Sequence, residues 1–175
     1  MQEVAIQLRF NRACLGALKR TKTRNGHERV VYCMLRDPAG RVMFLPTWWA
    51  AVVRYAADVT NSCQGLVSKI DWDPIIVGDT GRDWRRVVVP VRADHAGRER
   101  YCMHEAFRPG DVVEVNAVIP DGMTATDLHG LLSVAGAYKG ISPFRHDAEC
   151  YGTFEVLSVR PRIRKQRGDS SEEIA

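Results

Sequence analysis

No stretch of the sequence approaches the roughly eighteen consecutive apolar residues that a membrane-crossing helix needs. Met1 leads into Gln2-Glu3 and a short alternating segment rather than a basic stretch and an apolar run, so no secretory leader is expected. Cysteine is sparse and odd in number. Cys14, Cys33, Cys63, Cys102 and Cys150 are scattered without a close pair, which argues against a disulfide framework and for reduced thiols. A cytoplasmic location is therefore expected. Also missing are a Gly-rich Lys-Ser/Thr phosphate loop, a dinucleotide-binding glycine fingerprint and a Gly-x-Ser-x-Gly elbow. The five histidines, His27, His95, His104, His129 and His146, are isolated. Cys102-Met-His104 offers two ligands on one strand face, but a third and fourth are lacking, so no metal and no cofactor are expected. No internal repeat is visible.

What remains is ordinary globular composition: 175 residues, 45% hydrophobic and 26% charged, enough for one core without staples. Residues 1–164 are expected to form one domain and 165–175 a disordered tail, since the last residues are polar and lack periodicity. The net charge of +4 and a pI near 8.9 suggest an anionic partner only weakly. Distribution says more. Arg9, Arg12, Lys19, Arg20, Lys22, Arg24 and Arg29 fall close together with Glu28 the one acid among them, and Arg160, Arg162, Arg164, Lys165 and Arg167 form a second cluster.

Val4, Ile6, Leu8 and Phe10 alternate with polar residues, the period of a strand with one buried face. The basic segment from there to His27, with Thr21, Thr23, Asn25 and Gly26, reads as an exposed excursion. Residues 30–36 and 41–45 flank Asp37-Pro-Ala-Gly40, a type I turn pattern, and are expected to pair. Pro46 opens a helix in which Trp48, Ala51, Val52, Tyr55, Ala56 and Val59 recur at helical spacing, with Asn61 as its stop. Residues 66–77 read as a strand interrupted by Pro74. Residues 85–91 and 100–107 flank Asp94-His-Ala-Gly97 as an accessory hairpin, and 112–119 form a central strand. Thr124-Ala-Thr-Asp127 is a helix-start pattern ahead of Leu128, Leu131, Leu132 and Ala135, and 151–159 supply the last strand.

With the inserted hairpins set aside, the order is strand, helix, strand, strand, helix, strand. That predicts an α+β, ferredoxin-like (RRM-like) fold: a four-stranded antiparallel sheet with two helices on one face and inserted β-hairpins. The other face is then open to a ligand or partner, and RNA-recognition modules bind single strands there.

The segment Leu128-His-Gly-Leu-Leu-Ser-Val-Ala-Gly-Ala-Tyr-Lys-Gly-Ile-Ser-Pro-Phe-Arg145, followed by Tyr151-Gly-Thr-Phe-Glu-Val156, resembles the helix, glycine loop and final strand of the repeat-associated RNA-binding (RAMP, Cas7-like) superfamily. It is also similar to phage proteins with such a loop ahead of a Tyr/Phe-Gly-x-Phe-Glu-Val strand. The resemblance covers the last third of the chain. It implies a ferredoxin-like core whose glycine loop approaches an RNA or single-stranded DNA backbone, in proteins that line up along the strand. The loop here departs from the family's glycine-rich run, with Ser142-Pro143 in its middle. Relatives that cut RNA use a histidine near the first helix or a loop aspartate; the first helix here has no histidine.

The candidate nucleic-acid-binding residues are therefore Lys19, Arg20, Lys22 and Arg24 in the basic excursion, and Lys139, Gly140, Arg145 and His146 at the glycine loop. Cations there neutralise phosphates without reading bases, while a solvated loop and a helix C-terminus complemented by nearby cations are the plainer alternatives. No catalytic residue is assigned. The expected partner is RNA or single-stranded DNA. The competing readings are an assembly subunit acting through exposed strand edges, as a homo-oligomer or within a larger ribonucleoprotein assembly, and a RAMP-like endoribonuclease.

Overall fold

The computed structural model describes residues 1–24, 27–77, 86–91, 100–142 and 151–162, with the backbone alone at 22, 24, 27–29, 86–91 and 100–102. The first strand, β1 (Gln2–Phe10), alternates as its sequence requires, burying Val4, Ile6, Leu8 and Phe10. It lies between two antiparallel neighbours. On one side β8 (Val112–Ile119) pairs in register from Gln2↔Ile119 to Arg9↔Val112 and turns Val113, Val115, Ala117 and Ile119 inward. On the other, β9 (Phe154–Pro161) runs from Phe10↔Phe154 to Val4↔Pro161, with a bulge opposite Gln7 and Leu8. The short β5 (Asp71–Trp72) adds to the far side of β8, giving the order β5-β8-β1-β9.

Two helices cover the inward face. α1 (Pro46–Thr60) starts on Pro46, whose missing N–H costs nothing in a first turn. It buries Trp49, Val52, Val53, Ala56 and Ala57, and ends where Asn61 takes a left-handed φ of 52°. The Trp49 ring stacks on Trp72 from the edge strand, with centroids 5.0 Å apart, and meets Phe154 edge-on at 6.2 Å. After the one-turn α2 (Gln64–Val67), α3 (Ala125–Tyr138) opens with a reciprocal capping box: Thr124 Oγ1 accepts from the Asp127 N–H, and Asp127 accepts from the Thr124 N–H. The Thr124 hydroxyl, with its backbone N–H, holds the Asp127 carboxyl below the usual carboxylate range. Leu128, Leu131, Leu132 and Ala135 share one core with α1 and with the inward residues of β1 and β8. Each large side chain in that core contributes about 1.5–3 kcal/mol of burial.

A second sheet is assembled from two insertions. β2 (Cys14–Leu15), β3 (Leu18–Arg24) and β4 (His27–Cys33) come between β1 and α1, while β6 (Arg86–Val91) and β7 (Arg100–Phe107) come between β5 and β8. β7 is the shared strand of these five. It pairs antiparallel with β6 and with β2, and parallel with β4 at Val31↔Met103 and Tyr32↔His104. β3 pairs with β4 and forms one edge.

The α+β class and the order β1, α1, β5, β8, α3, β9 meet expectation; four local readings do not. The basic excursion of residues 11–27 is largely β-structure, because Thr21 and Thr23 alternate with the cations and the partner strand, not burial, satisfies the backbone. Residues 30–36 do not form a hairpin with 41–45 beyond the bridge Arg36↔Val42, since β4 spends its edges on β3 and β7. The Asp37 turn itself stands: Gly40 N–H donates to the Asp37 carbonyl at 2.9 Å and Arg41 N–H to its carboxylate at 2.8 Å. The segment 66–77 begins in α2 and yields two strand residues before Pro74. Finally, the inserted hairpins are not separate appendages but one sheet. The hairpin turn at 94–97 and the tail from 165 lie outside the described residues.

Two glycines in α3 give opposite predictions for one substitution. At Gly130 a Cβ meets nothing within 4 Å, so Gly130→Ala stabilises by about 0.5–1 kcal/mol through helix propensity. At Gly136 it would sit 2.3 Å from the Phe154 carbonyl oxygen and 2.6 Å from its ring, so Gly136→Ala costs at least about 1–3 kcal/mol. Urea denaturation of both variants checks the sign.

Candidate nucleic-acid interface

The two sheets meet where β1 ends. Phe10 N–H donates to the Asp111 carbonyl at 3.0 Å, and Gly110 N–H returns to the Phe10 carbonyl at 2.7 Å. On the opposite flank Asn11 N–H donates to the Thr153 carbonyl at 2.9 Å, and Gly152 N–H to that of Ala13 at 2.8 Å. Residues 11–13 thus run between the turn that enters β8 and the loop that enters β9. They continue into β2, which pairs Cys14↔Phe107. Phe10 and Phe107 stack beneath this crossing with centroids 5.3 Å apart. Cys14 is fully enclosed there, and burial pushes its thiol pKa far up, out of the range of a working nucleophile.

The glycine loop is anchored to the same crossing. Lys139 and Gly140 N–H groups both close on the Ala135 carbonyl, and Ile141 N–H donates to the Gly152 carbonyl at 3.0 Å. Gly140 and Gly152 take positive φ values of 68° and 78°. A Cβ on Gly140 would lie 2.8 Å from Gly152 backbone, and one on Gly152 2.4 Å from the Ser142 nitrogen. These glycines are required by two loop arms pressed together. Lys139 leans the other way, its Nζ 5.2 Å from the centre of the Tyr55 ring on α1. Arg145 and His146 lie outside the described residues.

Of the basic group, Lys19 and Arg20 are exposed on the edge strand β3. Lys22 and Arg24 follow at strand spacing, so that positions 20, 22 and 24 fall on one face and 19 on the other. Lys22 stands opposite Arg29 in the register and Arg24 opposite His27. Edge strands carry such cations to discourage pairing with other chains, and the same row suits a polyanion. The structure places Lys139 and Gly140 at the crossing, and Lys19, Arg20, Lys22 and Arg24 on a strand that leaves it through β2 and Gly16. Gly16 has no room for a side chain, because a Cβ would sit 2.4 Å from the Cys33 carbonyl carbon.

The sheet face away from the helices differs from that of an RNA-stacking module. By alternation it presents Glu3, Gln7 and Arg9 from β1, Glu114 and Asn116 from β8, and Arg160 from β9, with no aromatic residue on that face among the described residues. Arg9 pairs with Glu155, and Gln7 bridges Glu114 and Arg160 at 3.4 Å each. At its β5 edge lies a cleft of about 350 Å³ where Glu3, Asp71 and Asp73 outnumber Arg162. Like charge disfavours a phosphate there.

His104 is enclosed within the second sheet. Its Nδ1 donates to the Gly16 carbonyl at 3.0 Å and its ring stacks on Tyr32 with centroids 4.7 Å apart. Next to it Glu105 accepts from Met34 N–H at 3.0 Å and from Arg36 at 2.9 Å. Burial depresses the His104 pKa against the raising effect of the Gly16 bond. The side chain of Cys102 is not described, and no group of three His, Cys, Asp or Glu side chains suited to a metal occurs among the described residues. A depressed imidazole pKa means that the unfolded chain binds the proton more readily. Its contribution to stability is therefore full above the unfolded value near 6.5 and declines as pH falls from there through the folded value. The expected slope is at most about 1.4 kcal/mol per pH unit, and His104→Phe flattens it. Chemical denaturation from pH 7.5 to 5 of both proteins measures the difference.

No family profile and no curated protein sequence matches this chain. Among solved structures, a chain of a type III-B Cmr-beta assembly bound to cognate target RNA, determined by cryo-EM, superposes on 91% of this chain with a TM-score of 0.61 at 9% identity. This chain spans 60% of that protein's length. A chain of a type IV-B CRISPR complex covers 98% of this chain and 95% of its own, with a TM-score of 0.48 at 7% identity. The type III-B likeness is one of fold, and by fold this chain is similar to a subunit of an RNA-bound assembly.

Proposed function

We propose that this chain is a non-enzymatic nucleic-acid-binding subunit of RAMP (Cas7-like) type. In this reading β1, α1, β5, β8, α3 and β9 are a ferredoxin-like core, supported by the sheet order β5-β8-β1-β9 and by both helices lying on one face. RNA or single-stranded DNA is held by the cationic strand Leu18–Arg24 and by the crossing that carries Lys139 and Gly140, with Arg145 and His146 beyond it in the chain. The observation that carries the reading is four cations on an edge strand, Arg20, Lys22 and Arg24 at alternate positions of one face and Lys19 on the other. The fold shared with a subunit of an RNA-bound assembly supports it.

The mode of contact follows from what lines the surface. With no aromatic residue on the open sheet face among the described residues and carboxylates at its β5 edge, that face offers no stacking platform for bases. Binding through the edge strand is backbone-directed and tolerant of sequence. Cleavage by His104 is not favoured, because that imidazole is enclosed at 0% exposure under Tyr32 and the Gly16 carbonyl.

Fluorescence anisotropy with a mixed-sequence single-stranded oligonucleotide tests the reading. Affinity falls as salt rises, and Lys19→Ala with Arg20→Ala lowers the slope of log K against log salt by about 0.7 per lost contact. Absence of binding in low salt, or an unchanged slope, overturns the reading.

A second reading, self-association, is favoured by the outer edge of β9. This strand pairs on its β1 side alone among the described residues, with Leu157 exposed beside its bulge. The two readings are compatible, since subunits aligned along a strand must also touch. Light scattering at high protein concentration shows a mass above the 19.7 kDa of one chain if this edge is used, and a strictly monomeric mass rules it out.

A further inference from the structure

Tyr138 ends α3, and its ring is turned out to water. It is 73% exposed, whereas every other aromatic side chain among the described residues is buried or half-buried. The ring makes no hydrogen bond and no ring contact among the described residues. Its backbone is nonetheless fixed, because the two residues after it, Lys139 and Gly140, both close on the Ala135 carbonyl, at 2.8 and 2.9 Å. Tyrosine offers a large flat contact at a low cost in conformational entropy, and here that contact is carried on a helix end and left unused. A single exposed ring is ordinary by itself. What distinguishes Tyr138 is what stands around it.

Lys139 follows it, its ammonium 5.2 Å from the centre of the Tyr55 ring and without a carboxylate partner among the described residues. Next comes Gly140, pressed against Gly152, whose N–H bonds to the Ala13 carbonyl. Lys19, the first exposed cation of β3, lies six residues beyond Ala13, a span of at most about 20 Å of extended chain. The one acid of α3, Asp127, stands about three turns back and is held in the capping box with Thr124. The carbonyl end of a helix disfavours a further negative charge, which directs a neutral base rather than a phosphate onto the ring. We infer that Tyr138 is a base-stacking residue: the face of a nucleobase of the bound single strand lies on its ring, and the phosphate beside that base lies toward Lys139. The inference deepens the function proposed above and rests on it, adding a contact with bases to those made with the backbone. Every base has a π face, so stacking of this kind agrees with a sequence-tolerant grip.

Two probes separate a base contact from a phosphate contact: a labelled mixed-sequence single-stranded RNA, and an abasic oligonucleotide of the same length, which keeps the phosphates and lacks the bases. Tyr138→Ala weakens RNA binding roughly fivefold or more, leaves binding of the abasic strand at the wild-type level, and leaves the salt slope unchanged, since no phosphate contact is lost. Tyr138→Phe, which keeps the ring, binds both strands as the wild type does. Both variants melt with the wild type, because the ring braces nothing. Equal losses on the two strands, or a lowered melting temperature in Tyr138→Ala, overturn the inference. So does wild-type RNA affinity in Tyr138→Ala when Lys19→Ala with Arg20→Ala weakens binding; the nucleic-acid reading then stands, and a smaller mass for Tyr138→Ala in light scattering assigns the ring to a contact between subunits instead. If the wild-type protein binds no RNA in low salt, both fall together.

Discussion

Much of this molecule depends on backbone segments lying too close together for side chains between them. At the end of β1, residues 11–13 are hydrogen-bonded to Thr153 and Gly152 on one flank, while Phe10 just before them is bonded to Asp111 and Gly110 on the other. The neighbouring contacts of Gly16 with Cys33, Gly140 with Gly152, and Gly136 with Phe154 are all shorter than any Cβ allows. Van der Waals exclusion here, more than hydrophobic burial, fixes how the second sheet, the last strand and the glycine loop are disposed. The apolar core under α1 and α3 supplies stability, and the crossing supplies position. Glycines that looked in sequence like a cradle for a ligand are largely occupied in letting the protein approach itself.

The core was legible because its signals are local. Alternation in residues 4–10 and 112–119, proline at the first turn of α1, the left-handed stop at Asn61 and the Thr124–Asp127 capping box each report a short-range geometric requirement, and each is present. The second sheet was not legible, because its pairing is long-range. Nothing near Val31 indicates that it will run parallel to Met103, and nothing in a polar, basic stretch such as 18–24 marks it as a strand when its partner, not a buried face, stabilises it. Register places Arg24 opposite His27 across Asn25-Gly26, a dipeptide suited to two-residue hairpins, and that was the available clue. Of the candidate site, the cations of the edge strand were visible as a cluster of one sign.

The surface divides by charge. The outer sheet face mixes acids and bases that largely answer one another, as Arg9 does Glu155, and its β5 edge is dominated by carboxylates. Among the described residues, the exposed cations Lys19 and Arg20 stand on β3, and Lys139 lies where the glycine loop meets the crossing. On the function proposed above, a polyanion would meet those cations rather than the sheet face where a base-reading domain with the same strand order would work.

The second sheet also has a consequence for how the chain reaches this state. Its shared strand, β7, has neighbours from both insertions, separated along the chain by some seventy residues between Val31 and Met103. Neither insertion completes the five-stranded sheet alone, and the pairing of β1 with β8 brings their roots together at Arg9↔Val112. Shortening one insertion strips the other of its partner and leaves a raw strand edge. Through an accident of topology, the two must be retained, lengthened or discarded as a pair.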